Sequence, residues 1–325
     1  MVSTSDERRF FSNLIRLTFF AVSLATVVSL FGRFHWFAEL FSHFRFYFLL
    51  FQAVLALIFL HSQRWLLMTA TLILAIPNAW YVGPYLTPLL LRAPVAVVDT
   101  EELEIVSLNV NFRNRDHAAT LAYLDITSPD VIVLSEVTSG LRNALRELEA
   151  EYPYQVGVSR PDPWGMLILS RVPFAESELL DLGVAGTVHA RVILQHRGSP
   201  LQLYAVHLYS PTNPRRAAKR NLQLATLAER IRASDMPTAV VGDLNVTPFS
   251  PFFDEFLESA GVVDARQPAG FHFTWPTSPL PLWIPIDHAL ADPAVRVTKV
   301  RRGPDLGSDH YPLEISLVCC EAGST

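Results

Sequence analysis

Six short polar segments interrupt the apolar runs in the later part of the chain. They are Ser-Leu-Asn-Val-Asn at 107–111, Leu-Ser-Glu at 134–136, Val-His-Leu-Tyr at 206–209, Gly-Asp-Leu-Asn at 242–245, Ile-Asp-His at 286–288 and Gly-Ser-Asp-His at 307–310. Together they supply carboxylates, carboxamides and histidines, and none contains a Cys or Ser nucleophile motif. Such groups can hold and move protons. Taken singly, each has a structural explanation. Asn109 suits a turn, Asp243 to Asn245 suits an Asx-turn, and a lone His207 suits a half-buried hydrogen-bonding position. The combination is what points to a site.

Each segment follows or ends an apolar run, which predicts strand ends converging on one cleft. Strands are expected at Glu104–Val110, Val131–Ser135, Met166–Ser170, His189–Leu194, Leu201–His207, Thr238–Val241 and Leu313–Val318. Helical period and charge patterning mark Leu141–Glu151 and Arg215–Arg232, and Thr247 and Ser250 before Pro251 can cap a further helix. The result is an α/β domain with two packed sheets and polar residues where strands end.

In this order the segments resemble the endonuclease/exonuclease/phosphatase superfamily, the divalent-metal phosphohydrolases related to deoxyribonuclease I, exonuclease III and the neutral sphingomyelinases. The resemblance runs from about Leu103 to Leu317, and Gly-Asp-Leu-Asn followed by Ser-Asp-His is its most specific part. It implies a four-layer α/β/β/α sandwich. By motif, Glu136 resembles the family's metal-binding glutamate, with Asn109 beside that metal and Asp309 a further metal-side carboxylate. The implied cofactor is Mg²⁺ or Mn²⁺, which suits hard oxygen donors. Asp243 and Asn245 match the pair that positions the attacking water and binds phosphate. His310 matches the histidine on the phosphoryl group and Asp287 its carboxylate partner. His207 matches the second histidine, a general acid for the leaving oxygen. Asn111 and Ser135 depart from the pattern, standing where Asp and Gln are frequent, and His288 stands where an aromatic is common. His288 reads as a packing or hydrogen-bonding residue.

The first ninety residues are of another kind. They hold six of the 26 Lys and Arg and three of the 31 Asp and Glu, so the remainder is acidic and lacks a broad nucleic-acid footprint. Charge-free runs span 17–32, 46–63 and 65–91, bracketed by Arg16, Arg33, Arg45, Arg64 and Arg92. About 20 residues cross a bilayer core, so three transmembrane helices are expected, with flanking arginines snorkelling to the interface. Pro77, Pro84 and Pro88 are expected to kink the third or end it early. Phe34, Trp36, Phe37, Phe41 and Phe44 read as an interfacial aromatic belt. The domains expected are a membrane anchor at 1–92, a linker at 93–103 and a catalytic domain at 104–325. Arg8, Arg9, Arg16 and Arg64 share one side and Arg33, Arg45 and Arg92 the other, which favours a multi-pass cell-membrane protein with an extracytoplasmic catalytic domain. Two adjacent cysteines, Cys319 and Cys320, exclude a disulfide framework and a thiolate zinc cluster.

The reaction expected is metal-assisted attack of water on a phosphate ester or anhydride. The bilayer is the first partner, and a lipid phosphate or diphosphate the first substrate class. The chain resembles a membrane-anchored bacterial branch that includes proteins associated with dephosphorylating polyprenyl diphosphate carriers. The alternatives are an envelope-anchored endo- or exonuclease and, from another class, an inert partner- or lipid-binding domain. Arg215, Arg216, Lys219 and Arg220 could serve nucleic acid, but they read first as a solvated helix face. No segment implies an obligate protein partner.

Overall fold

The computed structural model describes residues 4–91, 102–196, 198–278 and 282–319. Four helices open it: α1 (Thr4–Ser29), α2 (Trp36–Ser42), α3 (Arg45–His61) and α4 (Trp65–Leu91). By length and composition α1 and α4 could each cross a membrane, and α2 with α3 amounts to a third span only as a pair bent by 57°. The middle span is therefore broken, not straight. His35 caps α2 by accepting the Phe37 N–H, and Ser42 turns its hydroxyl back to Glu39 O, which closes α2 after seven residues.

The expected early end of the third apolar helix and the snorkelling of Arg45 need correction. α4 runs through Pro77, Pro84 and Pro88 without ending. Gln52 Nε2 of α3 donates to Leu74 O, three residues before Pro77. Arg45 does not snorkel. It is 2% exposed, donates to Phe249 O, Asn78 Oδ1 and Ser29 O, and lies over the Tyr81 ring. Each of the three guanidinium nitrogens finds an acceptor, two from the bundle and one from the loop at Phe249. Deeper between the helices, Gln52 and Asn78 both donate to Thr26 Oγ1 at 3.1 Å, and Asn78 also donates to Gln52 Oε1. In apolar surroundings such polar groups satisfy one another and hold α1, α3 and α4 in register. Most of the expected linker, 93–101, lies outside the described residues, and Leu103 is already in a strand.

The remainder is two six-stranded sheets. One contains β1 (Leu103–Asn109), β2 (Val131–Ser135), β3 (Tyr154–Val158), β4 (Met166–Ser170), β11 (Arg296–Arg302) and β12 (Leu313–Val318), in the order β11-β12-β1-β2-β4-β3. The other contains β5 (Phe174–Leu180), β6 (His189–His196), β7 (Ser199–His207), β8 (Thr238–Asp243), β9 (Val263–Asp264) and β10 (Asp287–Ala291), in the order β5-β6-β7-β8-β10-β9. Alternation along each strand makes the layers. Leu203 and Ala205 face the inter-sheet core with Ile105, Val133 and Ile168, while Tyr204 and Val206 face α7 (Pro214–Arg232) and α8 (Pro251–Ala260). On the first sheet's outer face lie α5 (Ala118–Thr127) and α6 (Ser139–Ala144). The four-layer α/β/β/α sandwich is thus the observed fold.

Two of the strands that sequence patterning did not mark share a reason. β5 and β11 carry exposed charges such as Glu176, Glu178, Arg296 and Arg301, as outer strands do, so no apolar run announces them. β10 begins on the polar Asp287. The expected helix Leu141–Glu151 is instead the short α6 followed by a 3₁₀ turn, Leu145–Leu148.

The helices dock on the sandwich through Val82, Tyr85 and Phe249, all buried, and through Phe46 against Phe271 and Phe273. Leu203 is fully buried between the sheets. Leu203→Ala should lower the unfolding free energy by about 2–5 kcal/mol, read from the thermal or denaturant midpoint of the full-length protein.

Candidate active site

Strand order places the polar segments together. In the second sheet β7 is parallel to β8, with His207 beside Asp243, and β10 is antiparallel on the other side, with Asp287 opposite Asp243. In the first sheet Asn109 pairs with Ser135, which precedes Glu136. Sharp backbone turns aim these side chains. Glu136 (φ 63°) and Asn245 (φ 50°) are left-handed, a conformation non-glycine residues rarely adopt and which marks functional positions. Gly242 has φ 128°, and a Cβ there would stand 2.1 Å from Val206 O. That approach explains the glycine before Asp243.

The side chains form one connected cluster. Asn109 Nδ2 donates to Glu136 Oε1 at 3.1 Å and Asp243 Oδ2 at 3.3 Å, joining the two sheets. The Asn109 oxygen is taken by Asn111 N–H, and the Phe112 N–H donates to Glu136 Oε2. Asn245 gives its backbone N–H to Asp243 Oδ1 at 2.8 Å and its amide to Asp243 Oδ2 and Leu208 O. His310 Nδ1 donates to Asp287 Oδ2 at 2.8 Å, and its Nε2 lies 3.7 Å from Asp243 Oδ2. His207 Nδ1 donates to Pro163 O, which turns Nε2 to within 3.6 Å of Asp243 and 3.7 Å of Glu136. Ser308 ties the Ser-Asp-His turn to Asn109 O at 2.6 Å, and Asp309 accepts from Trp275 Nε1. All eight expected residues are therefore in one place. Glu136, His207, Asp243, Asn245, Asp309 and His310 line a cavity of about 570 Å³, and Asn109 and Asp287 support them by hydrogen bonds.

Burial and pairing set the charges. Burial pushes the Asp243 carboxyl up to about 8, with nearby His310 opposing and Asp287 reinforcing the shift. Burial would lower the His310 ring, but Asp287 overrides it and raises the ring to about 10, so His310 is an imidazolium at neutral pH. Burial would raise Asp287, and contact with His310 holds it below the ordinary carboxylate range instead. Burial lowers His207, partly offset by Glu136. The two histidines thus start in opposite states.

The donor set fits a hard divalent cation. Several carboxylates converge, and burial keeps the Asp243 carboxyl protonated although the His310 imidazolium stands near it. One oxygen each of Asp243 and Asp287 and a ring nitrogen of His310 lie within 4.8 Å of one another. This trio differs from the expected Asn109, Glu136 and Asp309. Its histidine is already engaged by Asp287, and a protonated ring is a poor metal ligand.

Some neighbours went unmarked in the sequence. Trp164 packs on both His207, at 5.2 Å between centroids, and Tyr209, at 4.5 Å. His288 is buried, with Nε2 on Val246 O and Nδ1 accepting from Arg266, and burial lowers it to about 3. That is the hydrogen-bonding role its position suggested. Arg220 departs from the solvated strip: it is fully buried and paired with Glu39 of α2. A lone acid among aromatic residues was the available signal, since a buried charge demands a partner.

The model of the "Endonuclease/Exonuclease/phosphatase family" matches residues 106–310. No curated protein sequence matches the chain. Similar solved structures include D. rerio TDP2 complexed with a single-strand DNA product, at 21% identity, TM-score 0.56, over 67% of this chain and 100% of that one. An endonuclease/exonuclease/phosphatase from Beutenbergia cavernae has 19% identity and TM-score 0.57, over 69% and 73%. Another from Bacteroides vulgatus has 18% identity and TM-score 0.57, over 68% and 100%. These likenesses establish the fold.

The His310–Asp287 contact makes a pH prediction. A folded value of about 10 against 6.5 ordinarily means the pairing stabilises fully below about pH 6.5 and fades as pH rises through 10. In Asp287→Asn the His310 ring should titrate near or below its ordinary value in an NMR pH series. The fall in stability that the pair causes between pH 7 and 10 should also disappear. A His310 ring still protonated at pH 8 in that variant would contradict the assignment.

Proposed function

The chain belongs to the endonuclease/exonuclease/phosphatase family, and on that premise we propose that it is a membrane-anchored, divalent-metal-dependent hydrolase of a lipid phosphate or diphosphate. The anchor is residues 1–92 and the catalytic domain 104–325. The observation that carries the substrate class is the composition of the cavity wall. Catalytic residues bound it on one side, and Leu40, His43 and Phe44 of the apolar amino-terminal segment on another. A phosphoryl group beside Asp243 and His310 leaves the rest of its ester against Leu40, Phe44, Trp164 and Ile284. Among the described residues Arg216 is the one guanidinium lining the cavity. That is sparse for a polynucleotide, whose affinity rests on many phosphate contacts.

Glu136, with Asn109 and Asp309, would hold Mg²⁺ or Mn²⁺, which supplies Lewis-acid polarisation of the phosphoryl oxygens. Asp243 and Asn245 orient the attacking water, and with a value near 8 a fraction of Asp243 is carboxylate at neutral pH, the form that takes the proton the water loses. The new bond is water oxygen to phosphorus, and the bond that breaks joins phosphorus to the leaving oxygen. The His310 imidazolium, held by Asp287, meets negative charge growing on the phosphoryl oxygens. His207 is neutral until substrate arrives. A phosphate anion beside Nε2 favours its protonation, and the ring passes that proton to the leaving oxygen.

Sidedness follows from charge. With Arg45 buried in the bundle, Arg8, Arg9, Arg16 and Arg64 stand against Arg33 and Arg92. The positive-inside rule then supports a cytoplasmic amino terminus and an extracytoplasmic catalytic domain at the cell membrane.

The decisive assay offers the purified full-length protein a polyprenyl diphosphate, an inositol lipid, sphingomyelin and single-stranded DNA, with Mg²⁺ and with chelator. Turnover of a lipid phosphate in Mg²⁺ alone is expected. Glu136→Gln should lose most activity and regain part of it at high Mg²⁺ or Mn²⁺. Cleavage of DNA without lipid turnover would favour an envelope nuclease, and turnover undiminished in chelator would reject the metal.

The histidines predict a split. His207→Ala and His310→Ala should each lose roughly 10²–10⁴ in turnover. An ester with a very good leaving group should rescue His207→Ala and leave His310→Ala slow, and equal rescue of both would refute the division of labour.

A further inference from the structure

The loop from Leu244 to Ser250 joins β8 to α8 and carries Asn245. It is gripped from the membrane side. Arg220 of α7 donates from Nη1 to Asn245 O at 3.2 Å, and its Nη2 meets both oxygens of Glu39, on α2, at 2.7 and 2.6 Å. Ser250 donates its hydroxyl to Glu39 Oε1 at 2.7 Å. His43 pairs through Nδ1 with Thr247 Oγ1 at 2.9 Å, and Arg45 donates to Phe249 O. Residues 245, 247, 249 and 250 are thus each tied to the α2–α3 elbow, Asn245 through Arg220. The opposite face of the loop is held by His288 on Val246 O.

The Glu39–Arg220 pair is fully buried on both sides. Such a pair is weak evidence for stability, because desolvation offsets the attraction and two well-packed apolar residues serve as well. What apolar residues cannot do is fork between a carboxylate and a backbone carbonyl. Asn245 sits at φ 50° and needs that carbonyl held for its amide to stay on Asp243 Oδ2 and Leu208 O.

We propose that Glu39 and Arg220 are positioning residues for the reaction, which makes α2 of the membrane segment a working part of the active site. The inference rests on Asn245 standing at the reacting centre. A shift of that amide misplaces Asp243 and the water it orients, and errors of this size cost rate more than binding.

The test uses the full-length protein in lipid nanodiscs, with two readouts: kcat and KM on a polyprenyl diphosphate, and hydrogen–deuterium exchange of the 244–250 amides. Glu39→Leu combined with Arg220→Met removes both charges. It should keep a folding transition close to the parent's, yet lose at least about tenfold in kcat with KM changed less than about twofold. Loop exchange should accelerate while β8 stays protected. Arg220→Lys, which keeps the ion pair but not the fork, should show the same split, and it decides the question if the double variant does not fold. Parent-like kcat and loop exchange in either folded variant would overturn the proposal. Asn245→Ala separates it from the site assignment, since parent-like turnover there rejects the site itself. The exchange readout stands whether or not the lipid is the substrate.

Discussion

A carboxylate buried at the meeting of two sheets organises this molecule. Asp243 is 2% exposed and ends a central strand, largely shut off from bulk solvent. A charge or a proton held there must be met by hydrogen bonds. The partners come from every direction: Asn109 from the first sheet, Asn245 from the loop beyond, His207 and His310 from either flank. Strand order follows from that need, because β8 must lie between β7 and β10 for His207 and Asp287 to stand at its sides.

The same economy governs how the apolar helices meet the sandwich. Their contact is aromatic in part, but its polar members are buried and connected. Tyr85 of α4 donates to Asp264 at 2.7 Å, Asp264 pairs with Arg266, and Arg266 donates to Asp287 O. One chain of contacts thus runs from α4 to the partner of His310, and another from α2 to Asn245. Buried polar networks cost free energy when half satisfied, so they tolerate few alternative arrangements. A tether needs none of this, whereas a wall of the active site does.

That arrangement is the basis for proposing an amphiphilic ester as substrate. Its charged end needs an interior rich in fixed dipoles and paired ions, and its apolar end needs a surface continuous with the helices. Leu40 and Phe44 stand on the same cavity as His310 and Asp309. The aromatic residues before them are not all alike: Phe34 is 81% exposed and free to meet lipid, while Phe44 turns toward the cavity.

The eight candidate site residues, the alternation of apolar and polar runs and the apolar character of the first ninety residues are written in local sequence. Gly-Asp-Leu-Asn and Ser-Asp-His are short, and their meaning lies in residue type and order. Charged outer strands such as β11 left no such trace, because a strand with an exposed side and an unpaired edge needs no apolar run. The partners of Arg45, Arg220 and Glu39 were equally invisible, although a lone acid among aromatic residues signals that Glu39 has one. Arg220 reads as one cation among four on a helix face, and Arg45 as the flank of a membrane span. Each proves buried because a distant residue meets it, Glu39 lying 181 positions from Arg220 and Phe249 lying 204 from Arg45. Local sequence records which groups a segment carries; which of them lose water, and to whom they are paired, is decided only when the chain closes on itself.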